Sequence, residues 1–186
     1  MSVAIVPAAG KAERFGGGKL TADVGGEPLL NRTLRSLLDA GVAHVVVVLA
    51  PGTSLPTVDL LNDERVVRVV NPDPSRGMFS SIQIGLASAE GDPILVLPGD
   101  MPFVKSTTVH AVIAEAARTG RIVSPRFEGR RGHPVAFPRR LRDAILKADA
   151  GSTLNNALKS AGVSFELDVE DQGIRRDVDL PSDLEA

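Results

Sequence analysis

Cysteine, tryptophan and tyrosine are absent from the 186 residues, and six phenylalanines make up the whole 3% aromatic content. Without cysteine there is no thiol catalysis, no Cys-ligated zinc, no iron–sulfur cluster and no disulfide. That composition fits a reducing compartment. So few aromatics leave no base-stacking platform for single-stranded nucleic acid. Charge of one sign is also missing: 21 basic and 23 acidic residues give a net charge of −2, where a nucleic-acid-binding domain would be clearly basic. No apolar run approaches the ~20 residues of a membrane span. Met1–Pro7 is apolar but short, lacks a basic leader and runs into a glycine-rich segment, so it does not read as a signal peptide. The expectation is a cytoplasmic protein with neither a nucleic-acid nor a membrane partner. The length predicts one domain, residues 1–186, burying roughly 70% of the surface its unfolded chain would expose.

What is present is an alternation. Short runs rich in Val and Ile occur at Val3–Val6, Val45–Leu49, Val66–Val70, Ile94–Leu97 and Ile122–Ser124. Each is nearly continuous in apolar residues, as in strands covered on both faces. Between them lie stretches of helical period. Leu30, Leu34, Leu37 and Leu38 share one face, as do Val109, Val112, Ile113, Ala116 and Ala117. Gly41 and Gly120 stand where helices should stop. The predicted fold is α/β: three layers, a mostly parallel Rossmann-like sheet with helices on both faces.

Ligands of such sheets bind outside the carboxyl ends of the strands, so the segments after each strand carry the functional content. After the first strand comes Pro7-Ala8-Ala9-Gly10-Lys11-Ala12-Glu13-Arg14-Phe15-Gly16-Gly17-Gly18-Lys19-Leu20. Glycines let the backbone approach an anion and aim N–H groups at it. Arg14 can grip phosphate oxygens with its planar fork, and Lys19 can place a point charge on them. Together these describe a triphosphate cradle. It is not a Walker loop, because the residue five before Gly18 is Glu13 and Leu20 follows the lysine. The Gly-x-Gly-x-x-Gly dinucleotide fingerprint is absent as well, which disfavours an oxidoreductase. The bland alternative is a solvated loop with incidental charges.

The pattern Ala8-Ala9-Gly10-x-x-x-Arg14-Phe15-Gly16-x-x-Lys19 resembles the signature of nucleotidyltransferases with a GT-A-like fold. Within that group the chain resembles the molybdenum cofactor cytidylyltransferases and their MobA-like NTP transferase relatives. The resemblance continues through Gly77–Leu86, Leu97–Pro102, Gly129–Val135 and Asp177–Leu184, in order along the chain. Pro7 and the segment Lys11-Ala12-Glu13 depart from the usual pattern, which leaves the key arginine and lysine in place.

The resemblance implies that Ala8, Ala9, Gly10, Arg14 and Lys19 bind a nucleoside triphosphate, CTP in particular, and that Asp100 holds Mg²⁺. Asp100 follows the run Ile94–Leu97 in a Gly-Asp-Met-Pro turn; a turn or helix-capping role is the plain alternative. Related transferases bring a second acidic residue to the metal from the C-terminal segment, which here points to Asp179. Asp177 would share its side of an extended chain, and turn and cap roles for Asp177 and Asp183 are the alternative. Gly77, Ser80 and Ser81 match the region that meets base and ribose, although Ser80 or Ser81 could simply cap the helix that follows. His44 and His110 read as core or surface residues. Gly132-His133-Pro134 is expected to shape the acceptor pocket, and Arg130 and Arg131 either meet an anionic acceptor or form a solvated turn.

The reaction implied is transfer of CMP from CTP to a phosphorylated acceptor, by resemblance the molybdopterin cofactor, with release of pyrophosphate. Arg14, Lys19 and Asp100 would be its catalytic residues. Such chemistry needs positioning and charge neutralisation more than a protein nucleophile. A phosphomonoester acceptor is already largely ionised near neutral pH, so no general base is required. Alternatives are a sugar or polyol phosphate acceptor, or a cofactor-binding chaperone without turnover.

Overall fold

The computed structural model describes residues 1–10, 15–149, 151–159 and 164–184. Most of the β-branched runs form strands covered on both faces; the run Val66–Val70 is the exception, lying at the sheet edge with Val67 50% and Val70 56% exposed. In β1 (Val3–Pro7) all five residues are buried. The chain continues through α1 (Leu29–Asp39), β2 (His44–Leu49), β3 (Val66–Val70), α2 (Met78–Ser88), β4 (Ile94–Val96) and α3 (Ser106–Thr119). It ends with β5 (Ile122–Phe127), β6 (Arg130–Arg131), β7 (Val135–Phe137), α4 (Arg142–Lys147), α5 (Leu154–Lys159) and β8 (Ser164–Asp168).

Alternation along each strand sorts side chains between two cores. Ala4, Val6, Val45, Val47 and Leu95 meet Leu30, Leu34 and Leu37 of α1 and Val109 and Val112 of α3. Val3, Ile5, Val46, Val48, Ile94 and Val96 meet Phe79, Ile82 and Leu86 of α2, with Ile145 and Leu158 from α4 and α5. Each buried Val, Leu, Ile or Phe among them stabilises the fold by about 1.5–3 kcal/mol, offset by the entropy of ordering the chain. Gly120 closes α3 with φ of 62°, as its position suggested.

The strands run β3-β2-β1-β4-β7-β5, with β8 along the far edge of β5 and β6 pairing the end of β5. Pairs β1–β2, β2–β3, β1–β4 and β5–β8 are parallel, whereas β4–β7, β5–β7 and β5–β6 are antiparallel. The sheet is thus mixed and mostly parallel, with helices on both faces. Among the described residues no helix is long and apolar enough to cross a membrane.

The chain winds from β1 outward through β2 and β3, then returns to place β4 on the other side of β1. A crevice opens at that reversal, outside the carboxyl ends of β1 and β4. The two ends stay paired past the strands: Leu97 N donates to Ile5 O at 3.1 Å and Gly99 N to Pro7 O at 3.0 Å. α1 holds this corner from below, its Thr33 hydroxyl donating to Gly99 O at 3.1 Å. Asp100 is thereby set beside the Ala8–Gly10 loop.

The C-terminal segment reaches the same place by close backbone approaches. His133 N donates to Ile174 O at 2.8 Å and Val178 N donates to Asp100 O at 3.0 Å. Asp171, buried, accepts from Lys105 N (2.9 Å), the Thr108 hydroxyl (2.7 Å) and Gly173 N (2.9 Å). It therefore caps α3, a role the sequence had offered to Asp100, and pins the turn Gln172–Arg175 to that helix.

Candidate active site

Lys19 lies in a short 3₁₀ turn, Lys19–Thr21, and is only 9% exposed. A lysine so covered needs a partner, and it has two: Asp100 Oδ2 at 2.7 Å and Asp179 Oδ1 at 3.4 Å. Asp100 comes from the end of β4. Asp179 comes from the extended C-terminal segment, whose Val178 is fully buried against Val24 and Leu29. With Val178 turned inward, the two flanking carboxylates turn to the crevice, as alternation predicted. Asp177 joins Asp100 in one cleft with His133 and Arg131. Asp183 accepts from Asp179 N at 2.9 Å and Leu180 N at 2.7 Å, so it is the turn residue of this segment.

Two carboxylates converging on one ammonium form a donor set that a hard divalent cation would also satisfy. Among the described residues no group of three or more His, Cys, Asp or Glu could hold a metal. A pair of carboxylates is a usual protein share for such a cation, whose remaining positions phosphate oxygens and water would fill.

A cleft of about 200 Å³ opens beside Lys19, lined by Ala8, Ala9, Gly10, Lys19, Gly77, Ser81 and Asp100 among others. Seven of the sequence-predicted residues are thus brought together, with Asp179 joined through Lys19. Ser80 stands behind the wall: its hydroxyl donates to Gly77 O at 2.8 Å and accepts from Asn71 Nδ2 at 2.9 Å. Neither serine is the N-cap of α2. That place belongs to Gly77, with φ of 86° and no side-chain cap. Arg14, with Lys11, Ala12 and Glu13, lies outside the described residues.

Sequence reasoning missed Asn71. It is the first residue after β3 and is 1% exposed. The signal was available: a polar residue directly after an apolar run, at the carboxyl end of a strand, where Asp100 had been sought.

A second pocket of about 700 Å³ shares Gly77 and Met78 with the cleft beside Lys19. Phe79, Ile82, Val96, Ile122, Val135 and Leu154 make much of its wall apolar, and Arg76, Arg131, His133 and Lys159 supply polar groups. Arg131 is paired with Glu166 of β8, which also accepts from Arg126 at 3.2 Å. Burial pushes the His133 imidazole below its ordinary pKa, against the opposing pull of the Val96 backbone, Asp100 and Asp177. His133 is therefore neutral near pH 7.

The family model for the MobA-like NTP transferase domain matches residues 4–165, from β1 into β8. The chain belongs to that family of nucleotidyltransferases. A probable molybdenum cofactor guanylyltransferase of Thermococcus gammatolerans is 27% identical over 168 residues, covering 88% of this chain and 84% of that one. The crystal structure of 2-C-methyl-D-erythritol 4-phosphate cytidylyltransferase from Thermus thermophilus matches with a TM-score of 0.72 and 26% identity, over 98% of this chain and 94% of that one. Rv0371c of Mycobacterium tuberculosis, solved as a complex with manganese, matches with a TM-score of 0.73 and 22% identity, over 98% and 94%. The GT-A-like nucleotidyltransferase fold read from the motifs is that of these neighbours.

Proposed function

We propose that residues 1–186 act as one metal-dependent cytidylyltransferase domain, moving CMP from CTP to a phosphorylated acceptor, the molybdopterin cofactor, with release of pyrophosphate. The observation that carries this reading is the convergence of Lys19, Asp100 and Asp179 at the open end of the Ala8–Gly10 loop. Lys19, with Arg14, would neutralise the triphosphate. Asp100 and Asp179 would hold Mg²⁺, which supplies charge neutralisation at the reacting phosphate oxygens when bound. A relative solved with manganese supports a divalent cation of this kind. The composition supports a cytoplasmic setting.

The 700 Å³ pocket supports a bulky, partly apolar acceptor. A polyol phosphate is the second reading, favoured by likeness to the methylerythritol phosphate enzyme. Pyrophosphate release measured across the four ribonucleotides, with molybdopterin and with methylerythritol phosphate as acceptors, tests both. No release with any pair would leave a binding protein on this fold.

Cytosine is the expected base. Ala9 is 3% exposed and lines the cleft. Its methyl narrows the space beside the base, which penalises a purine more than a pyrimidine. The guanylyltransferase relative makes GTP the direct competitor. Titration of the magnesium-loaded protein with CTP and GTP should show tighter CTP binding; turnover with GTP alone would refute the cytidylyl assignment and leave the transferase reading standing.

Lys19→Ala should weaken CTP far more than CMP. A charge-assisted contact contributes about 1.5–3 kcal/mol, or roughly ten- to a hundredfold in affinity. Calorimetric titration with both nucleotides reads the difference. Equal losses would place the ammonium away from the outer phosphates.

A further inference from the structure

The buried Asn71 is tied to both serines of α2, and its orientation can be assigned from its partners. Asp73 N donates to Asn71 Oδ1 at 3.0 Å. A backbone N–H can only meet an acceptor, so the amide oxygen faces the loop and Nδ2 faces the helix. From there Nδ2 donates to Ser80 Oγ and to Ser81 Oγ, both at 2.9 Å.

The two hydroxyls then differ. Ser80 spends its single proton on Gly77 O at 2.8 Å. That carbonyl also accepts from Ser80 N, so it is already well occupied as a back-bonding partner for Ser81. Among the described residues no hydrogen bond from the Ser81 hydroxyl is seen. Ser81 is 3% exposed and lines the smaller cleft beside Ala9, Gly10 and Lys19.

We infer that Asn71 is a positioning residue that sets the polarity of Ser81. By filling a lone pair of the Ser81 oxygen, it turns the hydroxyl proton toward the cleft. Ser81 then reads an acceptor atom on the nucleotide: a carbonyl or ring nitrogen of the base, or an oxygen of the ribose. The inference rests on the reading of this cleft as the nucleotide site.

A double-mutant cycle on nucleotide affinity tests it. CTP with magnesium is titrated into wild type, Ser81→Ala, Asn71→Asp and the double variant, with melting temperature followed in parallel. Loss of one neutral hydrogen bond should raise Kd by about three- to tenfold in Ser81→Ala. Asn71→Asp can still accept from Asp73 N but cannot donate, so Ser81 must give its proton to the new carboxylate. It should raise Kd at least as much; its added charge repels the triphosphate in both backgrounds, so the rise should be smaller by about threefold or more when Ser81 is already alanine. Any fall in melting temperature from Asn71→Asp should persist in both backgrounds, which separates positioning from stability. Should Asn71→Asp fail to fold, Asn71→Ala enters the same cycle: a smaller rise in Kd that vanishes without Ser81 supports the assignment. Equal factors in both backgrounds overturn it. Wild type that binds neither CTP nor GTP overturns the nucleotide reading and this inference with it. A second series with 2′-deoxy-CTP locates the atom: an undiminished effect of Ser81→Ala points to the base or another ribose oxygen, and a vanished effect to the 2′-oxygen.

Discussion

Asp100→Asn is expected to lower turnover by about a hundred- to a thousandfold, the scale on which enzymes lose rate when one group that stabilises transition-state charge is removed. The amide keeps the shape of the carboxylate and can still accept from Lys19, so packing at the end of β4 is preserved. What is lost is the charge that would hold the metal and balance the ammonium 2.7 Å away. Stability should fall only modestly. Lys19 is nearly buried and would suffer without an anion, but Asp179 remains at 3.4 Å. Pyrophosphate release and a thermal melt of the same preparation distinguish the two effects. A variant with near-wild-type turnover in magnesium would remove Asp100 from the metal site.

Gly173→Ala should cost about 3 kcal/mol or more of stability and abolish activity with it, at the upper end of what overpacking produces. A Cβ at Gly173 would stand 2.0 Å from Phe103 O and 2.4 Å from the carbon that bears it. Those are backbone atoms in the turn between β4 and α3, and they cannot swing aside as a side chain would. The turn Gln172–Arg175 would have to lift, breaking the cap that Asp171 makes on α3 and the bond from His133 N to Ile174 O. The lifted turn leads straight to Asp177 and Asp179, so the carboxylates would leave the crevice too. For a chain of this size each kcal/mol moves the melting temperature by about 2–4 °C, so a fall of about 6–12 °C or more is expected by scanning calorimetry. Gly151→Ala is the control, because a methyl there meets nothing among the described residues within 4 Å. If Gly173→Ala melts with wild type, the C-terminal segment does not pack as described.

The antiparallel part of the sheet was the least legible. Strands β6 and β7 have two and three residues, too few to show any period, and from sequence the Gly-Arg-Arg-Gly-His-Pro string beside them is expected to shape an acceptor pocket, with its arginines on an anion or in a solvated turn. Their strand character comes from partners: Ala136 is held between Leu95 of β4 and Val123 of β5. The five runs read from the sequence announced themselves, with ends shifted by one residue at most except in β5, which extends through Pro125 to Phe127 by pairing with β8; β8 itself, Ser164–Asp168, was not among them.

The sequence by itself determined the alternation of strands and helices, the glycine loop with its lysine, and the carboxylate after the fourth strand. These are local: apolar period and turn residues act within a few positions, so they can be read without knowing what they pack against. Which groups meet was decided by the tertiary structure alone. Lys19 is 81 residues from Asp100 and 160 from Asp179, and nothing near any of the three specifies the others. They meet because the reversal of strand order between β1 and β4 opens one crevice, and because Gly132 and Gly173 let the C-terminal backbone come close enough to enter it.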